Sequence, residues 1–321
     1  MTNSARPDVV IRADAETGEG PVWDYRTDEL VWVDIPRGIL HRSKVRPPTA
    51  GTPTAGPAPA SGETASGETA SGETASSARG RVTDRAVAVG MMLGAAVPDT
   101  ATGWAAAVED GFGLVDAEGH LDLLDRALPE AFRRMNDGAC DSRGRMWAGS
   151  LMKSFDRGAG RLHCWAHGQP SRVVADGLTL PNGIGWSADD ARMYVADTSD
   201  GVVFGYEFDL DDACLGSRQA VLEVPAAQGQ PDGLCVDADG CLWVAQWGGW
   251  QVCRYDQRGR LVRTVEFPVA QPSSCAFGPD TTLYVTSAWE GLLAGHGQPL
   301  AGSVFAFDAG VRGASVGTFR L

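Results

Sequence analysis

The sequence predicts an all-β protein, a six-bladed β-propeller with four-stranded antiparallel blades. Three observations carry this: a turn-and-strand unit occurs six times, its copies are evenly spaced, and no stretch shows sustained helical periodicity with caps. Each copy is a turn rich in Asp and Gly, followed by an aromatic or apolar strand that ends in small or polar residues.

In chain order the copies occupy 24–34, 98–108, 141–149, 187–197, 237–246 and 278–286, and Trp32, Trp104, Trp147, Tyr194, Trp243 and Tyr284 share the aromatic position. Their separations are 72, 43, 47, 49 and 41 residues. A unit of this size holds four short strands and their turns, and removing an insertion of roughly 30 residues brings the first gap into line. That insertion lies at about 44–79: it is Pro, Ala, Gly, Ser and Thr, with Ser-Gly-Glu-Thr-Ala three times in succession at 61–65, 66–70 and 71–75. Such a segment cannot supply a core and predicts a low-complexity, disordered loop. Too little chain precedes it for an independent core, so residues 1–321 are expected to form a single propeller domain carrying this loop. The nearest helix candidate, 123–134, is broken by Pro129. The six aromatics are expected to pack blade against blade.

Composition bounds the function. Of 321 residues, 43% are hydrophobic and 21% charged, which fits a folded globular chain. Forty-one acidic against 27 basic side chains leave a net charge of −14, which disfavours nucleic acid and anionic membrane surfaces. The longest run without a polar side chain, 87–97, is too short to span a bilayer, and the N-terminus lacks the apolar stretch of a signal peptide. A cytoplasmic protein is expected. The seven cysteines, 140, 164, 214, 235, 241, 253 and 275, form no Cys-x-x-Cys pair and read as small buried hydrophobes.

Eleven to thirteen residues before the aromatic of each blade stands a polar residue: Glu19, Asn136, Asn182, Asp232 and Ser273, with Met91 or Gly90 in the second blade. Equivalent positions of different blades lie on a ring about the axis, so Glu19, Asn136, Asn182 and Asp232 converge at one channel mouth. Asn-Gly and Asp-Gly are also ordinary turn dipeptides. Glu19, however, gains nothing from such a turn, and two carboxylates beside two amides would repel without a cation. Oxygen ligands of this kind suit a hard divalent ion such as Ca²⁺, Mg²⁺ or Mn²⁺. Arg134, two residues before Asn136 in extended chain, points to the same face and is placed to reach a substrate oxygen. Asp137 and Asp197, which follow directly on repeat elements, serve loop backbone equally well and stay outside the core constellation, and His163 and His167 are read as surface or turn residues. Among other motifs, there is no Gly-x-Ser-x-Gly elbow, no His-Glu-x-x-His and no phosphate loop.

These residues give the chain a resemblance to the gluconolactonase family, which includes regucalcin (senescence marker protein) and luciferin-regenerating enzyme. It rests on Gly18-Glu19-Gly20-Pro21-Val22-Trp23 with Val33-Asp34-Ile35-Pro36, on Arg134-Met135-Asn136-Asp137-Gly138 with 144–149, on Pro181-Asn182-Gly183, and on Pro231-Asp232-Gly233. The resemblance implies one divalent cation on the axis, Ca²⁺ first with Mn²⁺, Mg²⁺ or Zn²⁺ open, held by Glu19, Asn182 and Asp232. It implies that Arg134 and Asn136 contact substrate. Metal-assisted hydrolysis of a sugar-type lactone follows, with Asp232 as general base and a small-molecule lactone as partner. The chain departs from the family after Gly149, where Ser-Leu-Met-Lys-Ser-Phe lacks the acidic pair that some members carry. A non-catalytic calcium- or ligand-binding propeller, an esterase or phosphotriesterase on the same site, and a propeller of the strictosidine-synthase type remain open.

Overall fold

The computed structural model describes residues 7–45, 82–292 and 297–321, and these form six four-stranded antiparallel sheets. The first strands of the six blades are Gly18–Asp24, Leu93–Pro98, Arg133–Cys140, Pro181–Trp186, Gln230–Val236 and Pro272–Phe277. Each packs on the first strand of the next blade and the sixth packs back on the first, so these six strands line the axis. In five blades the chain then runs outward strand by strand. The sixth takes its outermost strand, Asp8–Ile11, from the other end of the chain, with Val9 opposite Phe305. That pairing closes the ring.

Hydrophobic burial is divided among six seams rather than gathered in one core. Val31 and Val33 face the second blade beside Trp104 and Ala106, while Leu30 and Trp32 on the same strand face the sixth beside Tyr284. Successive strand residues point to opposite faces, so a strand packed on both sides needs an unbroken apolar run. All six repeat aromatics are at most 2% exposed. In two copies the turn Asp also anchors the Trp, since Trp147 Nε1 donates to Asp141 at 2.8 Å and Trp243 Nε1 to Asp237 at 2.9 Å, whereas Trp32 Nε1 donates to Ser43 Oγ at 3.1 Å.

Several expectations change. The strand Ile39–Lys44 runs into the start of the supposed insertion and Val45 is buried, so the ordered chain reaches Val45; the rest of that segment, from 46, lies outside the described residues. One short 3₁₀ turn, Ala226–Gln228, is the helical element among the described residues. His163 is 2% exposed inside the third blade, contrary to the surface reading, because it lies within an inner strand and meets Ser150 at 2.8 Å; His167 is exposed as expected. Cys214 is exposed and Cys235 half-buried, so the cysteines are not uniformly core residues. No described helix is long and apolar enough to cross a membrane.

Candidate metal and substrate site

Every innermost strand is interrupted by a bulge, and the polar ring residues stand at these interruptions. A bulge leaves a residue out of the ladder and re-aims its side chain, here toward the axis. Asn182-Gly183 and Asp232-Gly233 are therefore strand residues and not turns. Their glycines answer to a different constraint, close approach between neighbouring strands. A Cβ on Gly183 would lie 2.4 Å from Leu234 N, and one on Gly233 would lie 2.0 Å from Ser274 Oγ.

A cavity of about 580 Å³ opens at the N-terminal ends of these strands, lined by Glu19, Arg134, Asn136, Asn182 and Asp232 together. The second blade places Gly94 at its bulge instead of Met91 or Gly90, with a Cβ there only 2.2 Å from Asn136 O. Ser273 does not join the ring: its hydroxyl is spent on Gly18 O and, at 3.0 Å, on Thr286. Its neighbour Ser274 instead hydrogen-bonds Glu19.

The electrostatics at this mouth are unbalanced. Glu19, Asn182 and Asp232 are 3%, 6% and 3% exposed. Burial first, and then the charge of Asp137, hold the Glu19 carboxyl well above the usual carboxylate range; burial and then Glu19 do the same for Asp232. Asn182 Nδ2 donates to Asp232 Oδ1 and, at 3.2 Å, to Thr198 Oγ1, while its buried Oδ1 has no partner. Among the described residues no three His, Cys, Asp or Glu side chains converge as ligands, so the donor set is two carboxylates and an amide. An orphaned amide oxygen beside two mutually repelling carboxylates fits a hard divalent cation.

Arg134 donates to Asn136 Oδ1 at 2.7 Å, which bears out their shared face, and Asn136 Nδ2 donates to Pro181 O at 3.1 Å. Burial pulls the Arg134 guanidinium down from its ordinary value, and among the described residues it makes no ion pair. Two carboxylates hold the approach to the site. Asp34 accepts from Glu16 N and Thr17 N at 3.0 and 3.2 Å, two residues before Glu19; Asp197 accepts from Thr179 N and Leu180 N at 2.8 and 2.9 Å, two residues before Asn182. Asp197 thus serves loop backbone. Asp137 does not merely do so: it points into the channel, and burial lifts its carboxyl to about 7.

Sequence reasoning missed Thr17, Lys153, Thr198, Gln230, Trp247 and Glu290, all on the cavity wall. Thr198 carried a signal, following the last residue of a repeat copy. Lys153 belongs to the departing segment after Gly149, where its ammonium is held by Glu109 and, at 2.8 Å, by Ala131 O. Glu290 lies outside every repeat copy and accepts from Thr17 Oγ1 at 2.6 Å.

Residues 17–289 match the family model described as SMP-30/Gluconolactonase/LRE-like region. A 6-deoxy-6-sulfogluconolactonase of Pseudomonas putida is 31% identical over 95% of each chain, and a pentonolactonase of Haloferax volcanii is 30% identical over 87% of this chain and 84% of its own. Among solved structures, the calcium-binding protein regucalcin of Agrobacterium tumefaciens superposes with a TM-score of 0.80 at 25% identity, over 98% of this chain and 97% of the other.

Proposed function

This chain belongs to the SMP-30/gluconolactonase/LRE-like family, and from that premise we propose that it is a metal-dependent lactonase that opens a sugar-type lactone to the hydroxy acid. The observation that carries the reading is the unpartnered Asn182 Oδ1 beside Glu19 and Asp232 on the cavity wall. These three residues would hold one divalent cation, Ca²⁺ by analogy with the calcium-binding structural relative. Such a cation supplies positive charge that polarises an ester carbonyl and acidifies water beside it.

The chain's own residues do the rest. Asp232 is the proposed base, accepting the proton of the attacking water and passing it on to the ring oxygen as the ester bond breaks. Arg134 and Asn136, coupled by their hydrogen bond, form one rigid donor unit that orients the lactone's oxygens. The 580 Å³ cavity accommodates a monosaccharide lactone, and its polar rim of Thr17, Thr198, Gln230 and Glu290 suits hydroxyl groups. Proton release from δ-gluconolactone and a pentonolactone at neutral pH tests the activity; rates no faster than spontaneous hydrolysis on either substrate would refute it.

A further inference from the structure

Two cavities share the axis. The one described above lies at the N-terminal ends of the innermost strands; a second, of about 220 Å³, lies at their C-terminal ends, walled by Trp23, Ile184, Trp186 and Phe277. Both Cys235 and Cys275 line this second cavity, and their sulfurs stand 3.6 Å apart. Cys235 is on the innermost strand of the fifth blade and Cys275 on that of the sixth. Just upstream the two backbones are in near-contact, since a Cβ on Gly233 would lie 2.5 Å from Ser274 Cα. The thiols therefore face each other across a seam whose spacing is already fixed. A disulfide bond of about 2.05 Å asks for a sulfur movement of roughly 1.5 Å, within reach of side-chain rotation.

We propose that Cys235 and Cys275 form a juxtaposed dithiol, which a small organic disulfide entering the second cavity converts into a disulfide stapling the fifth blade to the sixth. The half-buried Cys235 is the point of attack, and Cys275, 3% exposed, is the resolving thiol. Burial, and then Cys275, hold the Cys235 thiol well above its ordinary pKa, so the exchange is slow at neutral pH and quickens as the pH rises. Cys235 loses its proton to solvent and attacks the oxidant RSSR, giving a mixed disulfide and releasing RS⁻. Cys275 then loses its proton, attacks Cys235 Sγ and expels the second RS⁻. Two protein thiols are oxidised, one RSSR is reduced, and the two protons end on two released RSH. The sixth blade is the one closed by the N-terminal strand Asp8–Ile11, so the staple secures the ring beside its noncovalent closure. The bond closes a loop of some 40 residues, long enough to restrict the unfolded chain strongly.

The test uses the full chain carrying Cys214→Ser, which removes the exposed thiol as a source of intermolecular links. The protein is incubated with hydroxyethyl disulfide at mildly alkaline pH, its free thiols are blocked, and it is digested with trypsin without reduction. Cleavage at Arg254 and Arg263 separates the Cys275 peptide from 219–254, and fragmentation of the joined pair distinguishes Cys235 from Cys241 and Cys253, which share that peptide. The expected result is a peptide pair joined through Cys235 and Cys275, with a Tm about 5–10 °C higher that dithiothreitol reverses. Adding Cys275→Ala should leave Cys235 as the mixed disulfide with no rise in Tm. Recovery of both cysteines unlinked, linkage to other cysteines, or a joined pair without a Tm increase would overturn the proposal.

Discussion

Asn182 donates its amide N–H to Asp232 Oδ1, and this single contact fixes which atom the amide turns the other way: Oδ1, buried and without a partner. The reverse orientation would set the amide oxygen against a carboxylate, so the assignment follows from chemistry. Replacing Asn182 by Ala removes that oxygen and also Asp232's donor. Ca²⁺ affinity measured by calorimetry should fall at least tenfold, about 1.4 kcal/mol, and lactone turnover should fall with it.

Burial first, and then the charge of Glu19 at the same mouth, raise the protonation of Asp232. Glu19→Gln relieves that repulsion, so in chelator the variant should melt at or above the wild-type Tm. Saturating Ca²⁺ at about 100 times its Kd should stabilise the wild type by about 2.7 kcal/mol and the variant by much less. Thermal scans with and without Ca²⁺ read both; a variant less stable in chelator and equally responsive to Ca²⁺ would count against a shared cation site.

The Asp34 and Asp197 carboxylates each accept two backbone N–H groups just before a ligand strand. Asp197→Ala leaves Thr179 N and Leu180 N without their partner and should cost about 2–4 kcal/mol in urea unfolding. Because Leu180 leads directly to Pro181 and Asn182, Ca²⁺ affinity should weaken as well. Asp34→Ala should act the same way through Glu19.

His163 supplies a pH dependence that does not involve the site. Burial, helped by Arg161 and Arg133, lowers its pKa from 6.5 to about 4. Below pH 6.5 the unfolded chain takes up a proton that the folded chain refuses until about pH 4. Stability is therefore full above pH 6.5 and declines as pH falls, by at most about 3 kcal/mol at pH 4. Urea midpoints across this window should fall less steeply for His163→Gln; identical slopes would contradict the assignment.

The period of the repeat made the architecture readable before any one residue was understood. Trp32 through Tyr284 were legible because a strand buried on both faces must be aromatic or apolar throughout. Glu19, Asn136, Asn182 and Asp232 were legible because blade symmetry brings equal positions together. What stayed hidden depends on local register. Whether Ser273 or Ser274 reaches Glu19, and whether Gly94 or Met91 holds the second blade's position, is decided by one-residue bulges that exchange the faces of a strand. Asp137 was hidden for the same reason, since the bulge at 135–138 sends Asn136 to one cavity and Asp137 to the other. Glu290 and the Cys235–Cys275 pair come from contacts between blades that no spacing encodes.

The central claim, that Glu19, Asn182 and Asp232 hold the cation on which lactone opening depends, meets its most direct test in δ-gluconolactone hydrolysis followed by proton release. The wild type and Asp232→Ala are assayed after EDTA treatment and again with Ca²⁺, Mn²⁺, Mg²⁺ or Zn²⁺ restored. The account predicts that EDTA reduces the wild-type rate to the spontaneous one, that a divalent cation restores it, and that Asp232→Ala stays inactive while folded by circular dichroism. Full activity of metal-free wild type, or unchanged kcat/KM in Asp232→Ala, would contradict it.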